Sequence, residues 1–295
     1  MSADTPRRRV SLEEAASSVS VPPALRQAWN GPEPQITSSQ VWRADWDHEN
    51  LIVVILGTQE GIQAAPLSLD TEYADKSAVV IEESSSPLGV PLVAWPELAH
   101  RLPCVVFDRF AGELSQHTLE AIIDPKASYD VDPNSTHPVR LYRAAIEDSI
   151  EALAAARWYE AGTGQLSTIL RDVGVREIAT ALDVAPQRAL ALWRGQAALT
   201  RSEAERLSPL VDRPADALLA ANPSPPSDLI ARLDQPSRHR QVRAVAERRG
   251  VDLSTSYRDV AYQNWALAAR QTGTQKNINW DLRLDTYFSV ALHGE

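Results

Sequence analysis

The sequence predicts an α+β protein in which a small, SH3-like β-barrel is followed by an all-α region containing a helix-turn-helix. Three observations predict this. Short β-branched runs separated by brief turns fill residues 40–83, the texture of a small barrel or curled sheet. Beyond residue 138 apolar residues recur near a 3.6 period. Residues 175–195 carry the small crossing residue, tight turn and apolar plug that two closely packed helices need.

Taken in order, residues 1–37 are rich in Pro, Ser and charge and predict a loosely ordered segment, with Ser11 and Glu14 able to cap one short helix. Arg7, Arg8 and Arg9 are followed by no apolar block, so this start is expected to be a tail rather than a secretory signal. In residues 38–125, Gln40 to Asp45, Leu51 to Gly57, Gly61 to Leu69, Ala78 to Glu83 and Cys104 to Phe107 read as strands. Leu51 to Leu56 is a continuous apolar run, suited to a strand buried on both faces. Leu92 to Leu102 predicts a short helix with Pro96 near its start. Leu114 to Ile123 predicts another, with Ser115 as N-cap.

Residues 126–138 hold Pro133, Asn134, Ser135 and Pro138 and read as a linker. Residues 139–222 predict a connecting helix, Val139 to Tyr159, and the helix-turn-helix. Pro223, Pro225 and Pro226 then open a helical module at 223–295. Its helices are expected at Asp228–Leu233, Arg238–Arg249, Ser256–Arg270 and Trp280–Leu292. Tyr262, Trp265, Leu267 and Ala268, with Trp280, Leu282, Leu284 and Tyr287, read as its core.

Composition narrows the function classes. The net charge of −10 excludes a generic nucleic-acid coat. The charge is uneven: residues 1–163 carry −12, residues 164–222 are neutral and residues 223–270 carry +3. An acidic front and a neutral-to-basic back suggest separate jobs. A single cysteine, Cys104, forms no internal disulfide and fits a reducing, cytoplasmic location. No apolar run reaches the ~18 residues that span a bilayer, so no membrane partner is expected. The six histidines are scattered, without metal-ligand spacing. Glycine-rich nucleotide loops, the Gly-x-Ser-x-Gly elbow and His-Glu-x-x-His do not occur. No cofactor is indicated.

In the helix-turn-helix, Ile178, Ala179 and Leu182 face inward, and small Ala179 admits a crossing helix. Asp183 stands at the turn, where Gly, Asn or Asp tolerates a left-handed backbone. Val184 plugs the gap, Pro186 suits a first helical turn, Ala189 and Leu192 point inward, and Gly195 ends the helix. Thr200 and Glu203 form a capping box for the next helix.

Residues 164–222 resemble the lambda-repressor-like, Cro-type helix-turn-helix family. The resemblance implies that the second helix enters the major groove of double-stranded DNA. By position, Gln187, Arg188 and Ala191 would face bases, and Arg194, Arg171 and Arg201 would contact phosphates. Ala185 replaces the usual Ser or Thr cap, and Trp193 stands where a polar residue is common.

Residues 38–125 resemble the MazF/PemK family of small-barrel ribonuclease toxins through Val41-Trp42-Arg43, Ile52 to Leu56, Ala65-Pro66-Leu67-Ser68 and Ala111 to Ser115, with Leu119 and Ile122. That family cuts RNA with a basic residue after the first strand and a Ser or Thr after the third. Here the loop Asp45-Trp46-Asp47-His48-Glu49-Asn50 is acidic, and only Ser68 matches, with His48 as a conceivable acid-base.

The expected function is therefore a sequence-specific, dimeric transcriptional regulator of toxin–antitoxin or prophage type. Its barrel would hold no catalytic residue and would bind a protein partner, with Trp42, Trp46 or Trp95 as anchors if they are not core. An endoribonuclease using Ser68 and His48, and an interaction protein that binds no DNA, are the alternatives. The stretch Arg238-His239-Arg240-Gln241-Val242-Arg243, with Arg248 and Arg249, is either a solvated helix surface or a supplementary phosphate grip.

Overall fold

Val53, Val54 and Ile55 are wholly buried, as a β-branched run covered on both faces should be. The computed structural model describes residues 33–125, 137–159, 162–272 and 278–294, and places this run in the second of seven strands. Residues 1–32 of the segment predicted over 1–37, and residues 126–136 of the linker predicted over 126–138, lie outside the described residues.

The strands are β1 (Gln40–Trp46), β2 (Glu49–Gly57), β3 (Ile62–Ser68), β4 (Val79–Ile81), β5 (Leu92–Ala94), β6 (His100–Leu102) and β7 (Phe107–Glu113). They pair antiparallel in the order β4-β5-β3-β2-β1-β7, with β6 also on β3. Among the described residues the ladder does not close: β4 and β7 are its ends.

Residues 92–102 depart from the predicted helix and form β5, a 3-10 turn at Pro96–Leu98, and β6. Pro96 has no backbone N–H to give, and its ring would collide with the carbonyl four residues back. Trp95 and Leu98 are buried instead of lining a helix. The strand predicted from Cys104 begins only at Phe107, after a 3-10 turn at Cys104–Val106.

The helices are α1 (Gln116–Ile123), α2 (Pro138–Ala154), α3 (Leu166–Ile169), α4 (Val175–Leu182), α5 (Pro186–Trp193), α6 (Arg201–Val211) and α7 (Ala215–Ala220). After these come α8 (Ser227–Leu233), α9 (Pro236–Arg249), α10 (Leu253–Thr272) and α11 (Trp280–His293). Ser115 caps α1 by accepting from the Thr118 amide at 3.1 Å. Helix α2 starts at Pro138 and crosses the sheet. Its buried Arg143 reaches Asp75 (3.1 Å), Ser77 Oγ (2.9 Å) and Glu97 (3.0 Å), and lies over the Trp95 ring.

Four buried apolar clusters occur among the described residues: one on the other face of the sheet (Val41, Val54, Leu67, Leu92 and Ile122), a small one around Trp95 and Ile146, and two larger ones that divide the chain. Trp42, Trp46, Val53 and Phe107 of the sheet pack in one cluster with Ile150 and Leu153 of α2, Val242 and Tyr257 of α9 and α10, and Trp280 and Phe288 of α11. Leu166, Ile178, Leu182, Ala189, Leu192, Leu207 and Leu218 form a second core confined to residues 162–222. The sheet, α2 and α8–α11 thus make one body, and residues 162–222 are inserted in it between α2 and α8. The ends of the insertion lie side by side: the Thr163 amide donates to Ala220 O (2.8 Å), Gly164 to Asn222 O (3.1 Å) and Leu166 to Ala221 O (2.8 Å). Leu267 and Leu282, predicted core, are exposed at 44% and 63%, because the body covers the opposite faces of α10 and α11.

Candidate nucleic-acid interface and the cleft it lines

Helices α4 and α5 meet through buried Ile178, Leu182, Ala189 and Leu192. Asp183 takes the left-handed backbone (φ 54°, ψ 49°), and the Val184 amide returns to Ala179 O at 3.1 Å. That turn brings the chain straight back into α5 across half-buried Ala179. Pro186 lies at the start of α5, and no side chain caps the helix at Ala185. Gly195 ends the segment at φ +65°, with Ser167 3.3 Å from where a Cβ would stand.

The base-facing candidates share one face of α5. Gln187 is exposed and Ala191 half-buried. Arg188 is held: its Nη2 donates to Glu203 Oε2 (3.0 Å) and to Ala198 O (2.8 Å), and its Nε to Glu203 Oε1 (3.3 Å). Glu203 also closes the α6 capping box, accepting from the Thr200 amide at 2.8 Å while Thr200 Oγ1 accepts from the Glu203 amide. Arg188 is therefore a charge-assisted clamp between α5 and the start of α6. Of the phosphate candidates, Arg194 and Arg171 are exposed, and Arg201 makes an exposed pair with Asp216 at 3.1 Å. Such a surface pair competes little for a phosphate.

Gln187, Arg188 and Ala191 face a second element across an open cleft. They line one wall of a cleft of about 600 Å³, and Thr255, Asp259, Tyr262 and Gln263 of α10 line the other. Burial pushes the Asp259 carboxyl up, against the pull of Arg188, Arg249 and Arg258. Tyr262 donates its hydroxyl hydrogen to Pro223 O, at the point where the chain leaves the insertion.

Within the basic stretch of α9, His239, Arg240 and Arg243 are turned onto the acidic front, whereas Arg248 and Arg249 stay exposed. Wholly buried His239 sits 3.1 Å from Asp45 Oδ2 through Nε2 and 3.1 Å from Tyr257 Oη through Nδ1. Arg243 pairs with Asp45, and Arg240 pairs with Glu33 and donates to Asp108 O at 2.6 Å. Arg238 pairs with Asp285 on α11. Asp108 holds Arg43 of β1. Trp46 and Trp158 stack on the two sides of Tyr257, with centroids 5.8 and 5.7 Å away. Sequence reasoning places Asp45 in an acidic loop and His239 in a basic stretch, and gives Asp108 and Tyr257 no role. The available signal is Asp45 at a strand position beside Trp46.

Ser68 and His48 are not brought to one site. Ser68 is 6% exposed beneath α2, its Oγ held by Tyr142 and by the Asp70 amide at 3.0 Å, and Tyr142 in turn donates to Asp70 at 2.7 Å. His48 is exposed on the β1–β2 turn. Trp42, Trp46 and Trp95 are all buried core, so none is a surface anchor. Burial raises the Cys104 thiol to about 11, which leaves almost no thiolate near neutral pH. Among the described residues no group of His, Cys, Asp or Glu is placed to hold a metal ion, and no helix is long and apolar enough to cross a membrane. Comparison with protein-family models, curated proteins and solved structures returns no match.

Proposed function

We propose that residues 162–222 are a Cro-type helix-turn-helix, and that the chain is a sequence-specific DNA-binding regulator carrying this unit as an insertion. The left-handed Asp183 turn carries the proposal. It sets two short helices across each other at Ala179, with the later helix presenting Gln187 and Ala191 at its start. The separate core of the insertion supports the same reading, since a DNA-reading unit needs a rigid scaffold of its own. Exposed Arg171, Arg176 and Arg194 supply local positive charge that the acidic chain as a whole lacks. The body is read as a curled, degenerate barrel of MazF/PemK type that serves as a scaffold or partner surface. The engagement of Ser68 with Tyr142 and Asp70 argues against its use as a catalytic hydroxyl. Dimerisation on a two-fold operator would double a small interface.

Selection from a random duplex pool, followed by footprinting across a salt series, tests this. A preferred site, with log K falling linearly against log salt, is the expected result. Protection of no preferred site at any salt would sink it. The clamp of Arg188 on Glu203 favours a rival, in which the helix pair serves packing alone. Gln187→Ala separates the two. Relaxed preference at one base position, with unchanged melting, supports DNA reading, and an unchanged binding profile supports packing.

A further inference from the structure

We infer that α10 is a cover over the reading face of α5, so that this conformation excludes duplex DNA and the insertion must swing off the body to admit it. The inference rests on the DNA-binding proposal above and adds its regulation.

The first argument is steric. Gln187, Arg188 and Ala191 form one wall of the 600 Å³ cleft, and Asp259, Tyr262 and Gln263 of α10 stand opposite. A major groove is roughly 8.5 Å deep and 12 Å wide. A helix seated in it has a phosphate strand passing on each side. One of those strands would have to occupy the space that α10 fills.

The second argument is electrostatic. The cleft contains two carboxylates, Glu203 and Asp259, and its cation Arg188 is already committed to Glu203. Arg249 and Arg258 act on Asp259 in turn, so the cations near the cleft already face carboxylates rather than an incoming phosphate.

The third argument concerns which contacts are firm and which are light. The inner face of α10 is fixed to the body, where Tyr257, Val260, Ala261 and Ala268 are buried in the body core. No residue of that core belongs to the core of the insertion. Where the chain passes from the insertion back to the body, α10 holds it through the Tyr262 hydroxyl on Pro223 O, one residue beyond Asn222. The two ends of the insertion adjoin through the Thr163–Ala220 and Gly164–Asn222 hydrogen bonds, so it can rotate as a unit without tearing either core. A light polar latch between two separately packed parts is the arrangement expected of a hinge closure.

The test uses the full chain with Cys104→Ser, Gln196→Cys and Gln263→Cys. Positions 196 and 263 lie in the cleft and are not proposed DNA contacts. A bismaleimide with a disulfide in its spacer ties the walls together, and a reductant releases them. The probe is a fluorescent random-sequence duplex pool at low salt, read by anisotropy. The tethered form is expected to bind at least tenfold more weakly than the released form. Tyr262→Phe, which removes the latch, should bind about fivefold more tightly than the parent, the equivalent of one ordinary hydrogen bond. Equal binding by tethered and released forms overturns the cover and leaves DNA reading intact. Absence of binding by the tethered, released and Tyr262→Phe forms overturns both.

Discussion

His239 joins the acidic front of the chain to its basic back. Burial holds its imidazole at about 4, well below the ordinary 6.5. The neutral ring lies between Asp45 at Nε2, the Tyr257 hydroxyl at Nδ1 and the Val105 backbone. Because the folded-state value lies below the unfolded one, protons bind the unfolded chain more tightly. The stabilisation is whole above pH 6.5 and is lost as pH falls toward about 4, by on the order of 3 kcal/mol. Urea unfolding at pH 7.5 and pH 4.5 checks this. The wild-type chain should lose more stability over that interval than His239→Gln, and equal losses would mean that His239 is charged when folded. The residue also shows where sequence reasoning stops. Helical spacing places Arg238, Arg240 and Arg243 around α9 with no narrow shared face, but it cannot name what faces them. Arg240 and Arg243 meet Glu33, Asp108 and Asp45, about two hundred positions earlier for Glu33 and Asp45, and Arg238 meets Asp285 on α11. The charge imbalance between front and back, which suggested separate jobs, is here partly the two halves of one internal ion-pair network.

At the scale of elements, local chemistry was legible wherever the chain answers to its immediate neighbours. Ser115, Pro138, Asp183 and the Thr200–Glu203 box act at the positions their residue types imply. Residues 92–102 were not legible, since three-residue strands gain nothing from local propensity and depend on pairing with β3. The approach of the two insertion ends was equally hidden, and it rests on one glycine. A Cβ on Gly162 would stand 1.9 Å from Asn222 O, a backbone atom with no rotamer to yield. Gly162→Ala should therefore separate the paired ends while leaving both cores intact. Hydrogen exchange at the Thr163, Gly164 and Leu166 amides should rise at least tenfold, with amides of β2 and β3 unchanged. If the crossing tolerated the methyl group, exchange at the Thr163, Gly164 and Leu166 amides would match the wild-type protein.

The whole molecule is organised by return rather than by succession. A linear division into barrel, linker, helix-turn-helix and C-terminal module follows composition along the chain, but hydrophobic contact follows space. Trp42, Trp46 and Phe107 find their cover in α9, α10 and α11, so the last seventy residues complete what the first hundred begin. Periodicity marks which face of each helix is apolar and is silent on which distant element it meets, which is why the discontinuous body could not be read from the sequence. Two deletions should separate these organisations. A chain ending at Asn222 keeps the sheet, α2 and the insertion but strips α8–α11 from the body core. It would expose Trp42, Trp46 and Phe107 together, a patch too apolar for a stable monomer. That chain should unfold without a cooperative body transition and bind a hydrophobic dye. A chain in which a short Gly-Ser linker replaces residues 160–222 joins Tyr159 to Pro223, a short span because Tyr159 and Asn222 line one pocket. It should melt cooperatively and retain the slow exchange of β2 amides, having lost only the second core. Successive independent domains would give the reverse, with a stable sheet in the truncated chain. Discontinuity would also couple the proposed DNA-reading unit to the body, because its ends adjoin at Thr163 and Ala220 and α10 contacts neighbouring Pro223 through Tyr262.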